Sequence, residues 1–246
     1  MKSYAKLNIF LKIIGTRGGY HEILSRFVRY DALFDELNFV SSNEFSIDAD
    51  AIIKDNIILK AKLELENAGF KNELNEFFKN HKIELKKRIP MGAGLGGGSS
   101  NAATFLLLAN ESLNLKIPTQ KLMQIGSKIG ADVPFFISQA GAANVSGIGE
   151  VIDEIDDNVP EICVFTPEIF CSTPAVYAEF RKNFMQNINV KQARSMLDIS
   201  SFDLLKNFKN YELNDLYMPC FALYKDMQEY QDMFLSGSGS SLFFLK

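Results

Sequence analysis

The residues best suited to chemistry lie between Pro90 and Ala103, where the chain reads Pro-Met-Gly-Ala-Gly-Leu-Gly-Gly-Gly-Ser-Ser-Asn-Ala-Ala. Glycine at 92, 94, 96, 97 and 98 lets the backbone adopt positive φ and lets a ligand approach it closely. An apolar, helix-like stretch from Asn101 follows at once. Unpaired N–H groups and the positive end of a helix dipole therefore converge on this turn, which suits it to phosphate. Ser99 and Ser100 add hydroxyl donors, and Pro90 and Leu95 belong to the same run. The plainer reading is a serine-capped helix start behind a flexible turn. Lys87, just upstream, either approaches the phosphates or is a solvated strand lysine.

The run is not one of the commoner phosphate loops. Gly92-x-Gly94-x-x-Gly97 matches the dinucleotide fingerprint, but that motif needs a strand after its helix and an acid at the ribose, and here a second helix pattern follows. A Walker loop needs Gly-Lys-Ser/Thr, and no lysine follows Gly98. The HRD and DFG elements of a protein kinase are absent.

Other polar residues stand where a fold alone does not require them. Lys6 sits in an apolar strand, where a lone lysine can also snorkel from an edge. Asn8, two residues on, shares its face. Asp132 follows Gly130 and precedes Pro134, which also suits a helix cap. Tyr20 and His21 open a strand after Gly18-Gly19, one facing in and one out. Tyr177, after Thr173-Pro174, reads equally well as a core-facing helix aromatic. Gly237 and Gly239 could be only a turn before the last strand.

The elements that must carry these residues can be read from pattern. Residues 4–14 are a strand, 15–19 a turn, and 20–30 and 33–40 two further strands. Residues 41–56 suggest a loop or short edge strand. Lys54–Phe70 is helical with Gly69 closing it, and Ile83–Ile89 is a strand. Asn101–Asn114 is a buried helix, and a second helix follows Pro118 and closes at Gly130. Ala142–Ile155 is a strand pair around Gly147 and Gly149, and the acidic 153–158 stretch marks a domain boundary. Strand Ile162–Phe165, helices near 174–183, 201–208 and 221–234, and strand Leu242–Leu245 complete the chain. Helices and strands mix without βαβ regularity, so the class is α+β.

Composition narrows the function classes. The 246 residues suffice for one large domain or two modest ones. A formal net charge of −4 gives no global basic field for a nucleic-acid backbone. Cys163, Cys171 and Cys220 are far apart in sequence and odd in number, which argues for reduced thiols in a cytosol. With only His21 and His81, and no cysteine or histidine at ligand spacing, a zinc site is not expected. The N-terminus lacks a signal-peptide pattern and no apolar run is long enough to span a bilayer, so a cytoplasmic protein without membrane or nucleic-acid partners is expected.

Three segments in order resemble the motifs of the GHMP kinase superfamily: Tyr4-Ala-Lys-Leu-Asn-Ile-Phe-Leu11, the glycine run Pro90–Ala103, and Leu235-Ser-Gly-Ser-Gly-Ser-Ser241. Tyr4 departs from the proline usual before the Ala-Lys pair. Ala5-Lys-Leu-Asn8, Gly19-Tyr-His-Glu22 and Gly130-Ala-Asp-Val-Pro134 are similar to one branch of it. That branch phosphorylates the 2-hydroxyl of a cytidine diphosphate-linked methylerythritol in the non-mevalonate route to isoprenoids. The resemblance implies the two-domain GHMP kinase fold, with a ribosomal protein S5 domain 2-like N-terminal domain (1–155) that binds ATP and a ferredoxin-like C-terminal domain (156–246). Its partners would be ATP and the cytidine diphosphate sugar alcohol, and the protein a monomer or weak homodimer. Another superfamily kinase acting on homoserine, mevalonate or a sugar, or a non-catalytic nucleotide-binding protein, are the alternatives.

The resemblance also implies roles. Asp132 accepts the proton of the attacking hydroxyl, and Lys6 beside it keeps that carboxylate ionised. ATP lies on Pro90, Gly92, Gly94, Leu95, Gly96, Gly97, Gly98, Ser99 and Ser100, with Lys87 near its phosphates. Substrate meets Asn8, Tyr20, His21, Thr173, Tyr177, Gly237 and Gly239, with Tyr20 stacking on cytosine, His21 reading its edge and Tyr177 forming the other wall. The loop at Gly237 and Gly239 packs on the first phosphate loop. Mg²⁺ travels with ATP, with no dedicated metal cage in the protein.

Overall fold

A computed structural model describes residues 1–53 and 56–246. Its first half runs β1 (Lys2–Arg17), β2 (Tyr20–Ser41), β3 (Ile47–Ala49), α1 (Ile57–Leu65), α2 (Lys71–Phe77), β4 (His81–Lys86), α3 (Gly97–Ser112), α4 (Thr119–Ile129) and α5 (Val133–Ser138). The second runs β5 (Ala142–Ser146), β6 (Val151–Glu154), β7 (Ile162–Phe165), α6 (Thr173–Asn183), α7 (Val190–Ser195), α8 (Ser201–Asn207), α9 (Asn210–Leu213), α10 (Tyr217–Leu223), β8 (Phe234–Leu235) and β9 (Leu242–Leu245). Two units form, each assembled from separated stretches: Met1–Ala5, Tyr30–Ile89 and Gly96–Ala140 in the first, and Lys6–Arg29, Pro90–Leu95 and Gly141–Lys246 in the second.

In the first unit the C-terminal part of β2 pairs antiparallel with β4, from Glu36 opposite Lys86 to Ser41 opposite His81. β3 runs parallel to β4 at the edge, as the polar 41–56 stretch suggested. Phe39 on β2 meets Phe77, Phe78 and Phe105 edge-on, which joins the sheet to α2 and α3. A Cβ on Gly126 would lie 2.6 Å from Ile137 Cδ1, so glycine there lets α4 press onto α5.

In the second unit the N-terminal part of β2 pairs with β5, from Ser25 opposite Val145 to Val28 opposite Ala142. β5 and β6 form the expected strand pair around Gly147 and Gly149. A separate antiparallel sheet has the order β7-β9-β8. Leu11, Ile13 and Ile23 share a core with Val176 and Phe180 of α6 and Cys220 and Phe221 of α10.

Several differences from the sequence reading have local causes. β1 is buried at every position from Ala5 to Ile13, polar Lys6, Asn8 and Lys12 included, so both faces are covered and the alternation blurs. β2 is one strand rather than two, running straight through exposed Asp31 and Ala32, where it changes ladder partner. Lys54 and Asp55, the start of the expected 54–70 helix, lie outside the described residues; α1 is capped by Asn56 Oδ1, which accepts from Ile58 N–H at 3.1 Å. Gly69 does adopt positive φ, at 108°, but the helix resumes beyond it as α2, which buries Leu74. The expected helix over 221–234 sits earlier, at 217–223. Tyr224 turns extended, and its hydroxyl accepts from Ser172 N–H at 2.9 Å. Cys171 and Cys220, 49 residues apart, face each other with their sulfurs 3.7 Å apart.

Candidate active site

The glycine run begins in the second unit and ends in the first, changing over between Leu95 and Gly96. Gly96 is the N-cap of α3 in the left-handed region (φ 70°), and no side chain caps the helix. The serine-capped alternative is therefore not what forms. The helix starts inside the glycines, so the amides of Gly97, Gly98 and Ser99 head a 16-residue helix with its dipole behind them. A Cβ on Gly97 would meet Ile89 Cγ2 at 2.8 Å, so glycine there lets the helix start this close to Ile89.

Lys87 is neither solvated nor free to move. Its side chain is 8% exposed and its Nζ donates to Asp35 Oδ2 and, at 3.2 Å, to Asn101 Oδ1. Asp35 is fully buried. Its Oδ1 accepts from the N–H groups of Arg88 (2.7 Å) and Ile89 (2.9 Å), and its Oδ2 also accepts from Asn101 Nδ2 (2.9 Å). One carboxylate thus ties the approach to the glycine run to the second turn of α3.

The other half of the run is held by the third motif segment. Gly94 has φ 79°, and a Cβ there would stand 2.2 Å from the carbonyl oxygen of Ser236. Ser236 Oγ donates to Gly94 O at 3.1 Å, and Ser241 N–H donates to Ala93 O at 3.0 Å. The expected packing of 236–241 on the first glycine loop is thus present. β1 joins the same cluster: Lys6 N–H donates to Leu95 O at 3.0 Å, and Asn8 N–H reaches Ser236 Oγ at 3.4 Å. Lys6 and Asn8 are both buried, and Lys6 Nζ donates to Asn8 Oδ1 while lying 4.7 Å from the centre of the Phe27 ring. Asn8 Nδ2 in turn donates to Ser25 Oγ at 2.9 Å. Asn8 is therefore held in one orientation.

Asp132 occupies the N-cap position of α5, with Pro134 in the first turn, but its carboxylate makes no capping hydrogen bond to the helix. The cap reading accounts for its position and not for its side chain. Gly130, two residues before, lies beside the start of α3, since its Cβ would stand 3.8 Å from Ser99 Oγ.

His21 is 7% exposed and stacks on Tyr177, with ring centres 5.0 Å apart at 30°, while Phe180 meets it edge-on. Tyr20 points outward, 66% exposed. His21 Nε2 is buried without a hydrogen-bond partner. Burial first, and then the charge of Arg181, holds the imidazole below its ordinary pKa and so neutral. A neutral, unpartnered ring nitrogen is a group prepared for a ligand. Thr173 Oγ1 and Ser238 Oγ, 2.7 Å apart, link the start of α6 to the third motif segment.

Asp35, Asn101, Ser25, Ser236 and Asn214 hold these groups in place without having been singled out in the sequence. Their partners lie up to 228 residues away, and no periodicity or spacing carries that signal.

Residues 56–140 match the family described as GHMP kinases N terminal domain. A Campylobacter jejuni protein named 4-diphosphocytidyl-2-C-methyl-D-erythritol kinase is 48% identical over 99% of this chain and 98% of its own length. A Sulfurimonas denitrificans protein of the same name is 44% identical over 100% and 96%. Among solved structures, a 4-(cytidine 5'-diphospho)-2C-methyl-D-erythritol kinase superposes with a TM-score of 0.74 at 28% identity, covering 100% of this chain and 89% of that one.

Proposed function

The chain belongs to the 4-diphosphocytidyl-2-C-methyl-D-erythritol kinase family of the GHMP kinases, and we propose that it transfers the terminal phosphoryl group of ATP to the 2-hydroxyl of 4-diphosphocytidyl-2-C-methyl-D-erythritol. The observation that carries the site assignment is the uncapped start of α3, where consecutive amides after Gly96 face outward from a long helix. On this reading the triphosphate lies along Gly92–Ser100. Lys87, already neutralised by Asp35, shapes the loop rather than contributing net charge. Residues 1–155 make up the nucleotide-binding domain and 156–246 the C-terminal domain.

Each remaining residue has a task its surroundings suit. Asp132, with no helix amide to cap, accepts the proton of the attacking hydroxyl late in a loose transition state. Lys6 supplies positive charge at the acceptor end, and Asn8, oriented by Lys6 and Ser25, hydrogen-bonds the methylerythritol. His21 reads the cytosine edge through Nε2. Tyr177 and Tyr20 supply ring faces, and Thr173, Gly237 and Gly239 border the substrate.

Among the described residues no group of three or more histidine, cysteine or carboxylate side chains is placed to hold a metal ion. Mg²⁺ would travel with the triphosphate, and the hydroxyls of Ser99 and Ser100 would be the hard oxygen donors of this run that could help hold it. Such an ion would supply neutralisation of the phosphate charge. No helix among the described residues is long and apolar enough to cross a membrane. We place the enzyme in the cytoplasm as a monomer or weak homodimer, without nucleic-acid or membrane partners. The test is ADP release with 4-diphosphocytidyl-2-C-methyl-D-erythritol, with and without Mg²⁺. Release that requires both supports the reading, and release with homoserine or mevalonate instead overturns it.

A further inference from the structure

We propose that Asn214 is a positioning residue for phosphoryl transfer, fixing the turn at Leu235–Gly237 against Asn8 and Gly94. The proposal rests on the reading above, in which Asn8 meets the acceptor and Gly94 belongs to the phosphate loop.

Asn214 stands in the corner between α9 and α10 and is 3% exposed. Its Nδ2 donates to two carbonyls of the turn, Leu235 O and Gly237 O, each at 2.9 Å. Its Oδ1 accepts from Leu216 N–H, also at 2.9 Å. A primary amide supplies two donors and an acceptor from one short planar group. Aspartate cannot match it when ionised, and serine offers one donor.

What the amide holds is close to the site. Gly237 has φ 59°, and a Cβ on it would lie 3.3 Å from Gly94 O and 3.5 Å from Asn8 Oδ1. The neighbouring Ser236 bonds both Gly94 O and Asn8 N–H. The corner itself is fastened to β1. Leu11 and Asn214 form a parallel bridge, and Asp215 N–H donates to Leu11 O at 2.9 Å. The Asp215 carboxylate takes Ile13 N–H at 2.7 Å and Lys12 Nζ. The strand that bears Lys6 and Asn8 and the turn that borders them are thus referred to one corner, and Asn214 is its link to the turn.

Asn214→Asp keeps the shape and the acceptor for Leu216 but sets a carboxylate against two carbonyl oxygens. Once protonated, the carboxyl can donate to one of them. At pH 8 the expected kcat is about tenfold or more below wild type, the loss of one or two buried hydrogen bonds. The ratio to wild type should recover severalfold as the pH falls toward 6. Amide exchange in the 235–241 segment should be faster than in wild type at pH 8. A purely structural defect would lower only the folded fraction and leave kcat per folded molecule at the wild-type value at both pH 8 and pH 6, which overturns the proposal. If Asn214→Asp does not fold, Asn214→Ser takes its place, and unchanged exchange in 235–241 rejects the link. Wild-type turnover of the cytidine diphosphate-linked acceptor is run beside it. Its failure would refute the function, whereas the exchange measurement reports on Asn214 regardless.

Discussion

Asp35 and Lys87 form a buried ion pair at the foot of the glycine run, with the carboxylate 0% and the lysine side chain 8% exposed. Four groups bond Asp35: Lys87 Nζ, Asn101 Nδ2 and the N–H groups of Arg88 and Ile89. The pair fixes where β4 ends and α3 begins, and so the geometry of the amides between them.

Asp35→Asn leaves the shape intact but strands the Lys87 charge in a dry site. The expected cost is about 3–5 kcal/mol of stability, the usual result of removing one partner of a buried pair. Urea denaturation measures it. Because Lys87→Met removes the stranded charge, the double variant should lose less than the two single losses summed. Additive losses would show that the pair is not coupled.

Much of the candidate site was legible because it is local. Glycines in the run before α3, the Lys6–Asn8 pair on one strand face and the glycine turn at 236–241 announce themselves by spacing. The scaffold that orients them was not. Asp35 is one acid in a β-strand, and its value comes from Lys87 and Asn101, 52 and 66 residues downstream. Asn214 reads as an ordinary turn residue until its two carbonyl partners are seen. Residues 221–234 misled for the same reason, since the Tyr224 contact to Ser172 overrides helical periodicity there.

Gly98 separates fold from ligand. Its φ is not positive, and the nearest atom to an added Cβ is Ile57 Cγ2 at 3.6 Å, so alanine fits. Gly98→Ala should raise stability by up to about 1 kcal/mol through helix propensity. If a triphosphate approaches this backbone, the KM for ATP should nonetheless rise several-fold in steady-state assays. An unchanged KM would move the phosphates away from Gly98. Gly94→Ala is the contrasting case: the clash with Ser236 O forces the two loops apart, and both melting temperature and turnover should fall.

His21 gives a pH dependence. Its pKa is held below the ordinary 6.5, so the folded ring stays neutral while the unfolded one is already protonated. The unfolded state then binds more protons, and the stability His21 contributes is present above pH 6.5 and is lost as the pH falls below it. The KM for the cytidine substrate should be flat above that value and rise at lower pH as the ring charges. His21→Phe keeps a ring on Tyr177 but lacks Nε2. It should raise that KM about tenfold, the worth of one buried hydrogen bond, and remove the low-pH rise, with kcat little changed. A KM equal to wild type would take His21 out of cytosine recognition.

Asp132 offers the sharpest separation of chemistry from structure. It sits where a helix cap belongs, yet its side chain makes no capping hydrogen bond to α5, so an isosteric amide removes no cap. Asp132→Asn should therefore stay folded, as thermal unfolding run beside the assay would show. Its turnover should drop roughly 10²–10⁴-fold, the range expected for loss of a general base. Because ATP is held by backbone amides after Gly96 on this reading, its affinity measured by calorimetry should hardly change. Retained turnover would remove Asp132 from proton transfer and leave positioning and charge to carry the reaction. A large loss of stability would instead restore the structural role that the missing cap argues against.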